Sequence, residues 1–157
     1  MTQSDLNKAA LVMFATRCAG EGASLEQQKA IAFCIRNRVK AGWGDGSWLT
    51  VMEEAGEYMG NLPGPQVRID SNSKTLARLM RDVDEIYYGG GRFQGGTEEG
   101  QLGMGAEVGG DLESAIGNSK FWLFMREPFN PWFVERIMHD PENHPNHAQM
   151  GLMQFFD

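Results

Sequence analysis

Cysteine is scarce in this chain: Cys18 and Cys34 are the only two in 157 residues. Two thiols cannot make a disulfide framework, so an apolar core has to hold the fold. Both fall on apolar helix faces, where buried free thiols are expected. A disulfide between their two helices is the alternative for an exported protein. Basic residues are also few, 14 Lys and Arg against 21 Asp and Glu, for a formal net charge of −7. Arg36, Arg38 and Lys40 are close in sequence but spread around a helix, so there is no basic stripe. An acidic chain has no electrostatic attraction to nucleic-acid phosphates or to an anionic membrane surface, and neither partner is expected. No apolar run approaches membrane-spanning length. The opening MTQSDLNKAALVMFATRCAG has no basic segment before an uninterrupted apolar stretch, so no signal peptide is read.

Glycine, in contrast, is abundant at 20 residues, while 41% of the chain is hydrophobic and 22% charged. That is the composition of one globular domain with long, tightly turning loops. We expect a single domain over 1–157, mostly α, with an α+β arrangement as the variant if a small β-sheet forms.

The first helix is predicted from Ser4, as its cap, to Ala19, with Gly20 ending it and Leu6, Ala10, Met13, Phe14 and Cys18 as its apolar stripe. The second is better marked. Ser24 and Gln27 form a capping box, Ile31, Cys34, Ile35 and Val39 recur at helical spacing, and Gly42 stops it. GWGDGS is a tight loop. A helix from about Trp48 to Met59 carries Trp48, Val51, Met52 and Ala55 inward. A further helix up to Gly89 carries Leu76, Leu79, Met80, Val83 and Tyr87 on one side. The stretch from Gly89 to Gly110 reads as a loop or short hairpin. KFWLFM suits a buried strand or a short helix equally, because periodicity cannot separate them in so short a run. NPWFVERIM is a helix opened by Pro131, HDPENHPNH a polar loop and MGLMQFF a terminal apolar segment.

Glu21 is the most suggestive residue. It sits between Gly20 and Gly22, where no neighbouring side chain shields it, just before the second helix. If the two helices pack together, the connection is pressed over apolar surface. Desolvation would then raise the carboxyl pKa and keep it protonated, as a general acid requires. The plain alternative is an exposed acid favoured by the dipole at a helix N-terminus.

The stretch AGEGASLEQQKAIAFCIRNRV resembles the opening motif of the SleB-type cell-wall hydrolases, the spore-cortex-lytic enzyme family. The matching residues are Gly20, Glu21, Gln28, Ala30, Asn37, Arg38 and Val39. DEIYYGGG, AIGNSKFWLFM and HAQMGLMQFFD resemble later family segments more faintly. The resemblance implies a lysozyme-like fold and a lytic transglycosylase or muramidase acting on the glycan strand of peptidoglycan. It implies Glu21 as the catalytic acid and no cofactor. A lone glutamate suffices for a lytic transglycosylase; an ordinary hydrolase needs a second carboxylate about 5–10 Å away. Asp45, Glu53, Glu54 and Glu57 are candidates for that second group, with a solvated helix face as the plain reading.

Aromatic rings stack on sugar faces, which makes Tyr88 and Trp122 candidate substrate-binding residues; Tyr87 and Phe121 read more as core. Asn118 suits an acetamido group, or a turn. All three histidines, His139, His144 and His147, fall within nine residues together with Asp140 and Glu142. The stiff, proline-containing loop has no recognisable ligand spacing, so no metal is expected there, and His147 is taken as a binding residue. Two other function classes stay open. One is a non-catalytic binding module on the same fold. The other is a metal-dependent hydrolase using His139, His144 and His147. The expected location is cytoplasmic as synthesised, or the cell wall after delivery by a phage-type or secretion-system route.

Overall fold

The structure is a computed structural model that describes residues 2–19, 25–59, 74–88, 108–109, 116–124, 130–150 and 152–157. Most of these residues are helical, with a small antiparallel sheet, so the chain is mostly α with an α+β element. The residues fall in two compact units, Met1–Gly91 and Arg92–Asp157.

The first unit is built around a buried helix. Helix α1 (Gln3–Ala19), α2 (Leu25–Lys40), α3 (Trp48–Met59) and α4 (Lys74–Tyr87) are its elements, and α2 packs against the other three. From Ala30 to Asn37 every residue of α2 is buried. Leu11 and Ala15 of α1, Val51, Met52 and Ala55 of α3, and Leu79, Val83 and Ile86 of α4 are the core residues of the three surrounding helices. Burying each large aliphatic side chain contributes about 1.5–3 kcal/mol.

The start and the inner face of α1 differ from the sequence expectation. Thr2, not Ser4, is its cap. The Thr2 hydroxyl accepts from the Asp5 amide at 3.1 Å, and the Asp5 carboxylate accepts from the Thr2 amide at 3.1 Å. This is a reciprocal capping box with Asp in the third position. Its inner face follows Asn7, Leu11 and Ala15, while Leu6 and Met13 are exposed. Apolar residues lie almost all round α1, so periodicity alone did not single out a face, and packing chose one. In α4, Ile86 takes an inward position and Met80 is exposed; the side chain of Leu76 lies outside those described.

Gly42 ends α2 as expected, with a positive φ of 87° and its amide bonded to the Val39 carbonyl. A single 3-10 turn, Trp43–Gly46, follows with Gly44, Asp45 and Gly46 also at positive φ. The Ser47 hydroxyl then accepts from the Thr50 amide and starts α3.

The second unit is a sheet and one helical segment. Strands β1 (Val108–Gly109), β2 (Phe121–Phe124), β3 (His147–Met150) and β4 (Met153–Phe156) are ordered β1-β3-β4-β2, all antiparallel. The FWLF of KFWLFM is therefore a strand, and Met150 and Met153–Phe156 of the terminal apolar segment fall in β3 and β4. Asn130 caps α5 (Pro131–Phe133) by accepting from the Trp132 amide at 2.9 Å, and the chain continues as a π turn, Val134–Met138. Phe133 and Ile137 pack on Phe156, with Leu123 and Met138 beside them.

Candidate functional site

Glu21, with residues 20–24, lies outside the described residues. What is described is its frame: α1 ends at Ala19, α2 begins at Leu25, and the two helices pack together. Several residues that carry the motif resemblance are buried in α2, namely Gln28, Ala30 and Asn37. Beside Asn37, the Arg36 guanidinium is buried over the Phe33 ring at 4.5 Å, with Nε and Nη2 at 3.4 and 3.3 Å from Asn37 Oδ1. The Arg38 guanidinium lies 4.9 Å from the Trp43 ring centroid. Burial pulls both guanidinium pKa values down.

Cys18 and Cys34 are free thiols, Cys34 buried and Cys18 partly so. Burial pushes the Cys18 thiol up to about 12, against a smaller opposing pull from Arg17 and Arg38. A thiol held protonated in this way is a packing group and a poor nucleophile.

Tyr88 belongs to a polar and aromatic cluster in the first unit. It is 64% exposed, at the end of α4. Lys8 of α1 reaches it, with Nζ 3.4 Å from the phenol oxygen and 5.0 Å from the ring centroid. Lys8 also donates to Asp84 at 2.8 Å, and that bond is the main cause of its raised pKa. Behind Tyr88, the Tyr87 hydroxyl accepts from Asn7 at 3.1 Å and donates to Ser4 at 3.4 Å, and its ring lies 4.7 Å from Trp48. Tyr87 is thus half-buried and tied to α1, with its outward neighbour left as the open ring.

Asn118, Trp122 and His147 are in the second unit. Asn118 is exposed in the helical stretch 116–118. Trp122 is buried in the register row Trp122–Phe155–Ala148. His147 is buried in the next row, Phe121–Phe156–His147, so the strand pleat points the two side chains to opposite faces of the sheet. His147 Nδ1 lies 3.4 Å from the His144 carbonyl oxygen, and its ring sits edge-on to Phe133 at 6.2 Å. The exposed rings of β2 are Phe124, at 69%, and Phe121, at 36%, rather than Trp122. Trp122 and His147, both candidate substrate-binding residues in the sequence, are thus buried and on opposite faces of the sheet.

Asp45, Glu53 and Glu54 are all exposed, as a solvated surface requires. In the histidine loop, Asp140 accepts from Asn143, His139 is exposed, and His144 Nδ1 bonds to the Asp157 carbonyl at 2.9 Å. Among the described residues, no three His, Cys, Asp or Glu side chains are grouped to hold a metal ion. Among the same residues no helix is long and apolar enough to cross a membrane.

Sequence reasoning passed over Trp132 and the pairing of His144 with Asp157. A signal for Trp132 was present: Phe133 and Ile137 are one helical turn apart and face the sheet, which turns Trp132 outward. The His144–Asp157 pairing had none, since it depends on strand register.

Comparison with known protein families, with curated proteins and with solved structures finds no match.

Proposed function

We propose that this chain cleaves the glycan strand of peptidoglycan, with Glu21 as general acid and then base. The observation that carries the reading is the helix–loop–helix frame itself. Gly20-Glu21 falls in a five-residue connection between two packed helices, and the second helix closes with Asn37-Arg38-Val39. The exposed Tyr88 ring, with Lys8 and Asp84 beside it, is consistent with a polar, aromatic-lined sugar surface in the same unit.

In the reaction, Glu21 protonates the glycosidic oxygen as the C1–O bond breaks. The substrate acetamido group stabilises the oxocarbenium-like centre. The glutamate then takes the C6 hydroxyl proton as that oxygen bonds to C1, giving a 1,6-anhydro product and regenerating the acid. No second carboxylate is required for this route.

The test is turnover of purified peptidoglycan by wild type and Glu21→Gln, with mass spectrometry of the products. We expect anhydromuropeptides from wild type and a loss of about 100-fold or more in the variant. Reducing-end products that vanish in the variant would keep Glu21 but require a second carboxylate. Equal turnover by both proteins would remove Glu21 from the mechanism. No products from a folded wild type would sink the enzymatic reading and leave a binding module. EDTA should leave activity unchanged, and an EDTA-sensitive activity would point to the histidine loop instead.

A further inference from the structure

The C-terminal end of α4 holds a tyrosine in the open. Tyr88 keeps 64% of its surface in solvent, yet two groups brace it. The Tyr87 ring meets it edge-on, with centroids 5.0 Å apart and planes at 84°. Lys8 Nζ lies 3.4 Å from its hydroxyl and 5.0 Å from its ring centroid. Both braces are themselves anchored. Tyr87 bonds to Asn7 and Ser4, and Lys8 donates to Asp84 at 2.8 Å. Asp84 is four residues before Tyr88, on the same side of α4. A ring that is ordered before a ligand arrives loses little freedom when the ligand packs on it.

The polar groups around the ring select by charge. Lys8 Nζ is 2.8 Å from Asp84 Oδ1 and 3.9 Å from Asp5 Oδ1. The three side chains together are net negative, which disfavours an anionic ligand. The ammonium already stands at the ring, so a second cation would meet like charge there. A neutral ligand with an apolar face and a polar rim is what remains. The Tyr88 hydroxyl accepts from Lys8, which leaves its own hydrogen to donate. The Asp84 side chain is 60% exposed, and among the described residues Lys8 is its one side-chain partner, so Oδ2 is open to accept. A sugar hydroxyl does both, donating to one and accepting from the other.

We infer that Tyr88 and Asp84, with Lys8 positioning the ring, form a subsite for one uncharged pyranose of the glycan, remote from the bond that is cut. The C–H face of the sugar stacks on Tyr88, and its rim hydroxyls meet Asp84 Oδ2 and the Tyr88 hydroxyl. The cluster sits at the Ser4–Lys8 end of α1. Lys8 and Ala19 are eleven residues apart, about 16 Å along the helix axis, and Gly20-Glu21 follows Ala19. The sugar held by Tyr88 is thus a different unit from the one that Glu21 protonates, and the subsite reads glycan length. An N-acetylglucosamine unit satisfies the charge selection, whereas a muramyl unit with an anionic stem peptide does not. The distance from the cut rests on the proposed function; the preference for an uncharged sugar rests on the cluster alone.

The experiment titrates the full-length chain, carrying Glu21→Gln so that no glycan is cut, by isothermal calorimetry. The probes are chitohexaose, its cationic de-N-acetylated hexamer and an anionic hexagalacturonate. Chitohexaose should bind most tightly of the three. Adding Tyr88→Ala should weaken it about tenfold, equivalent to 1.4 kcal/mol, and Tyr88→Phe should restore most of that loss. Asp84→Asn should weaken it severalfold. Chitohexaose binding that is unchanged in Tyr88→Ala would overturn the subsite, as would tighter binding of either charged hexamer, or no binding of chitohexaose at millimolar concentration. If Tyr88→Ala lowers the Tm, chemical-shift mapping without that substitution decides. Sugar-induced shifts at Tyr88 and Lys8 support the subsite, and shifts only elsewhere reject it. Peptidoglycan turnover that survives in Glu21→Gln, with sugar binding weakened by Tyr88→Ala, would reject the catalytic reading and leave the subsite standing. Turnover lost in Glu21→Gln, with sugar binding indifferent to Tyr88, would do the reverse.

Discussion

Gln154 lies on β4 opposite Gln149 of β3, fully buried. Among the described residues neither its Oε1 nor its Nε2 has a hydrogen-bond partner. A buried amide with neither bond made costs free energy that an apolar side chain of similar volume would not. Gln154→Leu should therefore raise stability by about 1–2 kcal/mol, read by chemical denaturation. A loss of similar size would show that the amide has a partner in solution. Cys18 gives a second expectation at this scale. Its folded pKa is raised by burial above the ordinary 9.0, to about 12. Below pH 9 the thiol is protonated in both states and costs nothing. As pH rises from 9 towards 12 the unfolded chain releases the proton and the folded chain holds it, so stability falls. Denaturation curves from pH 8 to 11 should show a shallower fall for Cys18→Ala than for wild type, and parallel falls would place the thiol in contact with water.

At the scale of elements, helix ends and turns carry the clearest expectations. Thr2→Ala removes the cap of α1 and should cost about 1 kcal/mol. Ser4→Ala leaves the capping box intact and should cost less than about 0.5 kcal/mol. If the order is reversed, the start of α1 is wrong. In the turn before α3, a Cβ on Gly44 would lie 3.0 Å from Val51 Cγ2 and 3.1 Å from the Val51 amide nitrogen, at a φ of +57°. Both the backbone conformation and the crowding oppose a side chain, so Gly44→Ala should cost about 2 kcal/mol or more. At Gly46 the φ is +79° with nothing within 4 Å, and alanine should cost about 1 kcal/mol from backbone conformation alone. Equal thermal shifts for the two would remove the packing part of the argument.

For the whole molecule, net charge governs how it would meet the peptidoglycan of the proposed function. At −7 the chain is repelled by an anionic polymer, so capture has to come from short-range contacts. Pull-down on purified sacculi should be unchanged or stronger as salt is raised from low to physiological levels, because salt screens repulsion. A steep fall with salt would mean that a local basic surface does the binding.

Much of the helical organisation was legible in the residues themselves. The period of Ile31, Cys34 and Ile35 marked α2, Gly42 marked its end, and Pro131 marked the start of α5, because helix ends and periodicity are local properties. The inner face of α1 was not legible. Apolar residues surround that helix, and only packing against α2 and α4 selects Leu11 and Ala15 over Leu6 and Met13. The strand identity of Phe121–Phe124 was also undecided, since four apolar residues suit either period until β4 pairs with them. Of the candidate site, the sequence by itself determined the Gly20-Glu21 pair before α2, and the position of Tyr88 after α4's last buried turn. Tertiary structure alone decided that Trp122 and His147 face opposite sides of a sheet. It also decided that Phe121, Trp132 and Phe156 meet. The reason is physical: a strand's pleat assigns faces only once its register is set, and register depends on residues far away in the chain.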